Sequence, residues 1–519
     1  MPTGAVDGQK LVESRSPECL DEEELTLLGR VGSLPTRVQQ KLELLLSTPF
    51  LSNRAHRHGH RPRRSSCERL GPYLRVLFWN IAQGSKLDDI LLAFRAPDAF
   101  MKRWQIAQSR PSKKRYEQAV NALECLRNVD VLVLNEADLG LRRSGYRHVV
   151  KDLAEALGMN YAFGVEFVEV DPLEQLSELL PAATPAPQGG SNPSAGEVVC
   201  GAARPICRGL HGNAILSRYP IRRADILRFQ CQGYDWYAQE KQVFSFLRPH
   251  DDGERFPPPL LHALSFRQLR RGGRMALIVE LDTEELPDRV VTLVATHLEN
   301  RASPLVRRRQ LGEILEHIHA VGHPVILAGD LNTSGRDQTR GGAMHRALLR
   351  LCASSNFWSW VGHLVLPYLG GINDFLQGAP RNWDVERDPT CRGLRSSNEE
   401  RKLFDTLEKF RFLDGRSFDF RGDPERSLNQ TTRTLANSNQ RNGTGFAPTS
   451  ESPWAWGPLG RRKLDWIFVK PYTDEPKNRQ ASYRFAPHFG RTLSELNAGL
   501  QLSDHHPMVV DLPFEEPRP

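Results

Sequence analysis

Residues Pro324–Thr333 read P-V-I-L-A-G-D-L-N-T. The run P-V-I-L-A is short, apolar and β-branched, which describes a strand buried on both faces. It ends at Gly329, and the polar side chains Asp330 and Asn332 follow at once. Layered α/β folds collect their ligand-binding side chains at strand ends of this kind. Asp330 and Asn332 are two residues apart, so an extended backbone would point both to one face.

The same pattern recurs outward from this strand. Upstream, Ser303–Val321 has helical spacing, with Ser303 as N-cap and Pro304 at the first helical position. Strands are expected at Leu74–Trp79 (LRVLFW), Asp130–Leu134 (DVLVL), Asn160–Val170, Asn213–Ser217 (NAILS), Met275–Leu281 and Val290–Thr296. Helices are expected between them at Ser112–Asn128 and Gly145–Leu157, and strands return at Leu464–Val469 and Met508–Leu512. Strands alternating with helices predict an α/β layered core.

Residues 1–70 read as an N-terminal appendage. Leucines at helical spacing cover Asp21–Leu46, interrupted at Gly32–Pro35, and a basic linker, Arg54–Arg64, follows with five arginines and three histidines. That linker is either a solvated connector or a phosphate-backbone contact. Residues 71–515 are expected to form the main domain, with insertions at about 181–207, rich in Pro, Ala, Gly and Ser, and at about 335–460, rich in Asn, Arg and Gly. Within the second, helical pieces are expected near Met344–Cys352 and Asn398–Phe410, and the region as a whole could cover or reshape a cleft.

Bulk composition narrows the class. The chain has 519 residues, 39% apolar and 25% charged, as soluble globular proteins do. A net charge of +7 leans toward anionic partners such as nucleic acid, though a basic surface also serves solubility. Met1–Arg30 has no apolar signal-peptide core, and no run reaches the roughly 18 apolar residues of a membrane span. The longest apolar stretch, Phe357–Gly371, fits core packing, with peripheral lipid contact as the alternative. Eight cysteines without a C-x-x-C pair disfavour structural zinc and fit a reducing cytoplasm, so a cytoplasmic location is expected.

Six short motifs carry the chemistry. Asn80, after L-R-V-L-F-W, offers an uncharged amide to a phosphate oxygen or a metal-bound water, or else a strand-end turn. Glu136, after D-V-L-V-L-N, is a carboxylate on a buried strand and needs a partner. A hard cation such as magnesium is one. Nearby Arg142 and Arg143 are another, unless they clamp a substrate phosphate. His297, with Asn300 three residues on, can donate to a phosphoryl oxygen. Asp330 can take a proton from attacking water, and Asn332 can orient that Asp or bind the phosphate. Lys463–Trp466 (KLDW) alternates, which sets Asp465 opposite Leu464 and Trp466, and Asp465 can hold a histidine tautomer. Ser503–Pro507 (SDHHP) supplies Asp504, which can help hold a metal directly or through water, and His505, which can be the imidazole that Asp465 orients. This inventory suits in-line attack of water on phosphorus, assisted by magnesium or manganese. There is no P-loop and no G-x-S-x-G elbow.

In this order the motifs resemble the endonuclease/exonuclease/phosphatase superfamily, over about Tyr73–Leu512. G-D-L-N at Gly329–Asn332 and S-D-H-x-P at Ser503–Pro507 carry most of the resemblance, supported by G-N-A-I-L-S-R-x-P at Gly212–Pro220. It implies a four-layer α/β sandwich with two facing mixed β-sheets. It also implies Glu136 as principal magnesium ligand, with Asn80 and Asp504 beside the metal. His297, Asp330, Asn332, Asp465 and His505 become catalytic, with Asn300 on the phosphate. Inositol polyphosphate 5-phosphatases usually read G-D-L-N-Y-R and W-x-D-R, whereas this chain reads G-D-L-N-T-S and K-L-D-W, which disfavours that branch. The expected activity is a magnesium-dependent phosphodiesterase, a nuclease first. Alternatives are a phosphatase or phospholipase C-like enzyme on lipid or small phosphate esters, and a binding module on a retained fold.

Overall fold

The P-V-I-L-A run is a central strand. In the computed structural model, which describes residues 11–29, 33–109, 111–170, 207–240, 269–333, 400–442, 445–451, 461–473 and 483–516, it forms Val325–Asp330. The strands of the two main sheets, in chain order, are β1 (Ser14–Arg15), β2 (Phe50–Ser52), β3 (Ser66–Cys67), β4 (Gly71–Asn80), β5 (Val131–Leu139), β6 (Asn160–Val170), β7 (Leu210–Ser217), β8 (Ile221–Arg228), β9 (Leu269–Gly272), β10 (Met275–Asp282), β11 (Val290–His297), β12 (Val325–Asp330), β13 (Asp465–Lys470), β14 (His488–Thr492) and β15 (Met508–Pro513). The larger sheet runs β1-β2-β6-β7-β5-β4-β15-β14, with β3 on β4 and β9 on β6; the smaller runs β13-β12-β11-β10-β8. Each sheet is mixed, because β4 pairs parallel with β5 and β11 with β12, while β5–β7 and β12–β13 are antiparallel.

The alternation of side chains explains the layers. Val76, Phe78, Val131, Val133 and Ile215 of the larger sheet meet Leu277, Val279, Leu293, Ile326 and Ile467 of the smaller in one apolar layer. On the other face of the larger sheet lie helices α1 (Glu22–Gly29), α2 (Thr36–Ser47), α3 (Leu87–Arg95), α4 (Pro97–Ala107), α5 (Lys113–Arg127) and α6 (Val149–Leu157). The outer face of the smaller sheet is covered by α7 (Pro304–Ile318) and α8 (Arg401–Lys409). The expected four-layer α/β sandwich with two facing mixed sheets is therefore what forms. The helices begin where their sequences allow: Ser112 Oγ accepts from Arg115 N to cap α5, and Pro304 opens α7, although Ser303 makes no side-chain cap.

Three regions differ in detail from what periodicity suggests. Gly145–Leu157 becomes helical only from Val149, because Gly145 sits left-handed at φ 65° and ends a 3₁₀ turn over Arg142–Ser144. The N-terminal segment extends the larger sheet, β2 pairing antiparallel with β6 and β1 with β2. Part of the long insertion lines the outer face of the smaller sheet, where Leu403, Phe404, Phe412, Phe418 and Phe446 pack with Trp466 and Phe468. The helical piece near Met344–Cys352, the apolar stretch Phe357–Gly371 and the insertion at 181–206 lie outside the described residues. No described helix is long and apolar enough to cross a membrane.

Candidate active site

Strand register brings the candidate residues together. In the smaller sheet His297 pairs with Asp330, and Asp330 with Asp465, so three site residues form one row across β11, β12 and β13. In the larger sheet Asn80 pairs with Asn135 across β4 and β5. Both rows face the space between the sheets, at the end where the apolar filling stops.

Asp330 Oδ2 is the hub. Asn80 Nδ2 lies 3.4 Å from it, His297 Nε2 3.6 Å and His505 Nε2 3.7 Å. Burial, then the neighbouring Asp465 charge, pushes the Asp330 carboxyl up to about 7. His505 Nδ1 lies 2.8 Å and 3.0 Å from the two Asp465 oxygens, as the K-L-D-W alternation and the S-D-H-H-P motif led us to expect. Burial opposes an imidazolium there, but Asp465 and Asp504 outweigh it and raise the His505 pKa well above its ordinary value. His297 is driven the other way, by burial and then Arg274 and His211, and stays neutral. Asp330 thus lies between two imidazoles of opposite protonation preference.

Glu136 comes from the larger sheet through a deliberate irregularity. The β5–β7 register shifts between Leu134 and Ala137, and Glu136 sits in that bulge at φ 54°. A non-glycine residue there costs about 1–2 kcal/mol, and bulges of this kind re-aim side chains beside active sites. Glu136 Oε1 accepts from Asn80 Nδ2 at 3.0 Å, whose own Oδ1 accepts from Ala82 N. Burial disfavours the Glu136 carboxylate, yet His211, the Asn80 hydrogen bond and His505 together lower its pKa. Asp504 is exposed on the adjoining loop. That loop is tied to the end of β4, because Ser503 Oγ donates to Asn80 O and Trp79 Nε1 to His505 O.

Two carboxylate sets could hold a cation. Ligand atoms of Asp330, Asp465 and His505 lie within 4.8 Å of one another. Both Asp465 oxygens there already serve His505 Nδ1, so a cation would have to break that pair. Glu136 fits better: an ionised carboxylate with one oxygen fixed by Asn80, on the side that also carries Asp504. Oxygen donors of this type suit a hard divalent cation.

The other expected site residues differ in their contacts. β12 stops at Asp330 and Asn332 is left-handed at φ 46°, so the extended geometry assumed for the pair does not hold. Asn332 instead donates its backbone N–H to Asp330 Oδ1 at 2.9 Å, while its Nδ2 donates to Leu298 O. Arg143, expected as a phosphate clamp, is committed to Asp138 and Glu169 through four bonds of 2.6–3.0 Å. Arg142 is exposed in the 3₁₀ turn. Asn300 follows the His297 loop, its buried Oδ1 without a hydrogen bond among the described residues.

Sequence inspection missed Thr449 and His211. Thr449 Oγ1 accepts from Leu464 N and Asp465 N, both at 3.1 Å, and its carbonyl accepts from His506 N, so the end of the long insertion braces the Asp465–His505 pair. No local signal marks it. His211 begins the H-G-N-A-I-L-S run, and its Nδ1 lies 2.8 Å from Asp138 Oδ1.

A sequence model described as the Endonuclease/Exonuclease/phosphatase family matches residues 77–505, and the chain belongs to that family. It is accordingly a hydrolase of phosphate esters, and members of this family depend on a divalent metal. No curated protein sequence matches the chain. Among solved structures it is similar to an endonuclease/exonuclease/phosphatase from Beutenbergia cavernae, at 18% identity over 86% of this chain and 72% of that one, with a TM-score of 0.35. It is also similar to a Neisseria 3′ phosphatase bound to a product DNA hairpin (13%, 85% and 99%, TM-score 0.34) and to the human Nocturnin catalytic domain (14%, 85% and 94%, TM-score 0.30).

Proposed function

We propose that residues 71–515 form a magnesium-dependent phosphodiesterase that hydrolyses nucleic acid by in-line attack of water. The observation that carries this is the convergence of Asn80, His297 and His505 on one oxygen of Asp330, with the Glu136 carboxylate bound to the same Asn80.

Asp330 is the base. Its carboxyl, raised toward neutral pH, can take a proton from an attacking water. His505, kept charged by Asp465, donates to a phosphoryl oxygen as negative charge develops. Neutral His297 offers a hydrogen bond on the opposite side, and Asn80 orients Glu136. Glu136, with Asp504, would hold Mg²⁺ (or Mn²⁺), which when bound neutralises charge on the phosphoryl oxygens. Nucleic acid is the preferred substrate because the chain carries a net charge of +7.

The test is a panel of plasmid, abasic duplex, single-stranded RNA, phosphoinositide and sphingomyelin vesicles, with Mg²⁺, with EDTA, and with Asp330→Ala. We expect nucleic-acid cleavage that EDTA abolishes and that Asp330→Ala lowers by about 10³-fold or more. Turnover confined to the lipid arms would replace the substrate class. Full activity in Asp330→Ala would overturn the mechanism.

A further inference from the structure

The polar layer between the sheets continues beyond Asp330. Asp330 N donates to Asn135 Oδ1 at 2.9 Å, Asn135 Nδ2 to Asn213 Oδ1 at 2.7 Å, and Asn213 Nδ2 to Glu166 Oε1 at 3.0 Å. Arg274 Nη1 donates to Glu166 Oε2 at 3.0 Å, and Arg274 Nε lies 3.5 Å from Glu299 Oε2. Glu299 also accepts from Trp236 Nε1 and from Arg301 N, both at 2.9 Å. Every residue from Asp330 to Glu299 along this path is buried, none more than 2% exposed.

The path has a direction and a shape. Each amide accepts on one side and donates on the other, and the donations run toward the Glu166 anion, so neither Asn135 nor Asn213 can turn over without breaking two bonds. Asn135, Asn213 and Glu166 lie on the adjacent strands β5, β7 and β6 of the larger sheet. The chain crosses to the smaller sheet twice, at Asp330 on β12 and at Arg274 before β10. Its far end, Glu299, is two residues after His297 and one before Asn300. Asn135 also precedes the bulged Glu136. A closed polar strut thus ties the Glu136 bulge, Asp330 and the His297–Asn300 loop together. Buried ion pairs give little net stability compared with apolar filling of the same volume, so stability alone is a poor reason to build one here.

We propose that Glu166 and Arg274, acting through Asn213 and Asn135, are positioning residues that set the spacing of Asp330 against Glu136 and the His297 loop. The proposal rests on Asp330 being catalytic, and its test keeps the two separable. Asn213→Ala cuts the strut without removing a charge. Expected are a kcat lower by about 10- to 100-fold with KM changed less than about twofold. Amide exchange at Asp330, read by NMR or mass spectrometry, should quicken while Leu327 in the same strand keeps its protection. Glu166→Gln should lower kcat similarly, and the double variant should lose no more than either single one, because both break one connection. Arg274→Lys, a milder change, should cost about 3- to 10-fold, since one ammonium cannot serve Glu166 and Glu299 as the fork does. Unchanged kcat and Asp330 exchange in Asn213→Ala and Arg274→Lys would overturn the proposal. So would losses that multiply in the double variant, or loosening of the whole of β12. If Asp330→Ala proves fully active, the catalytic assignment falls, and the exchange measurement still decides the strut.

Discussion

Among the described residues, two buried carboxylate–imidazole pairs have nearly the same geometry, Asp465–His505 and Asp138–His211. Each holds Nδ1 at 2.8 Å from a carboxylate oxygen. Their surroundings differ. Asp465 has no arginine or lysine partner among the described residues, so its charge is spent on His505, which stays protonated beside Asp330. Asp138 is held by Arg143, which also binds Glu169, and Glu169 pairs with Arg270. The same pair of side chains is therefore a charged donor in one place and part of a balanced ion network in the other. What decides is whether the carboxylate has a competing cation.

That contrast can be broken by substitution. The largest effect is expected for His505→Ala, about 10²–10³-fold in kcat, against less than about fivefold for His211→Ala if the Asp138 pair is structural. A loss in His211→Ala equal to that in His505→Ala would erase the distinction. Next is Asp465→Asn, with a kcat lower by about 10- to 100-fold. His505 is needed charged, and removing the Asp465 charge lowers its pKa, so the basic limb of kcat/KM should move to lower pH. Asp138→Asn should leave that limb in place and instead cost about 1–3 kcal/mol of stability, because Arg143 loses a charged acceptor. Denaturant unfolding and a pH–rate profile on both variants separate these outcomes.

The smallest effect concerns histidines that have no carboxylate in hydrogen-bond contact among the described residues. Burial lowers His148 and His323 to about 4, and His488 to about 3. Their folded pKa values lie below the ordinary value of 6.5, so the neutral form is favoured by folding. The stability they contribute is complete above that value and is lost as pH falls through it toward 4 and 3. Tm should therefore drop between pH 7 and pH 4, and His488→Phe should flatten part of the drop. A Tm independent of pH over that range would show these rings to be solvated.

Much of the fold was legible because each strand carries its own evidence. L-R-V-L-F-W, D-V-L-V-L and P-V-I-L-A are apolar runs of strand length, and the polar residues that end them proved to share one end of the sandwich. Asp465 and His505 were legible as a pair because alternation in K-L-D-W fixes which side Asp465 faces. What sequence could not supply was partnership across distance. Whether Arg143 meets a phosphate or a carboxylate depends on Glu169, which arrives on a different strand. Whether Asn332 shares a face with Asp330 depends on where β12 stops pairing. Thr449 reaches Asp465 only because the insertion folds back, and β1 and β2 are too short for a periodic signal.

The bond from Trp79 Nε1 to His505 O spans 426 residues of chain. β4 lies inside the larger sheet, yet one of its edges is filled by β15, which lies far along the chain from it. At cellular elongation rates of about 5–20 residues per second, the two halves of the centre are separated by roughly 20–90 s of synthesis. During synthesis Asn80 and Glu136 thus emerge well before His505, and the cluster around Asp330 is assembled only after His505 has been made.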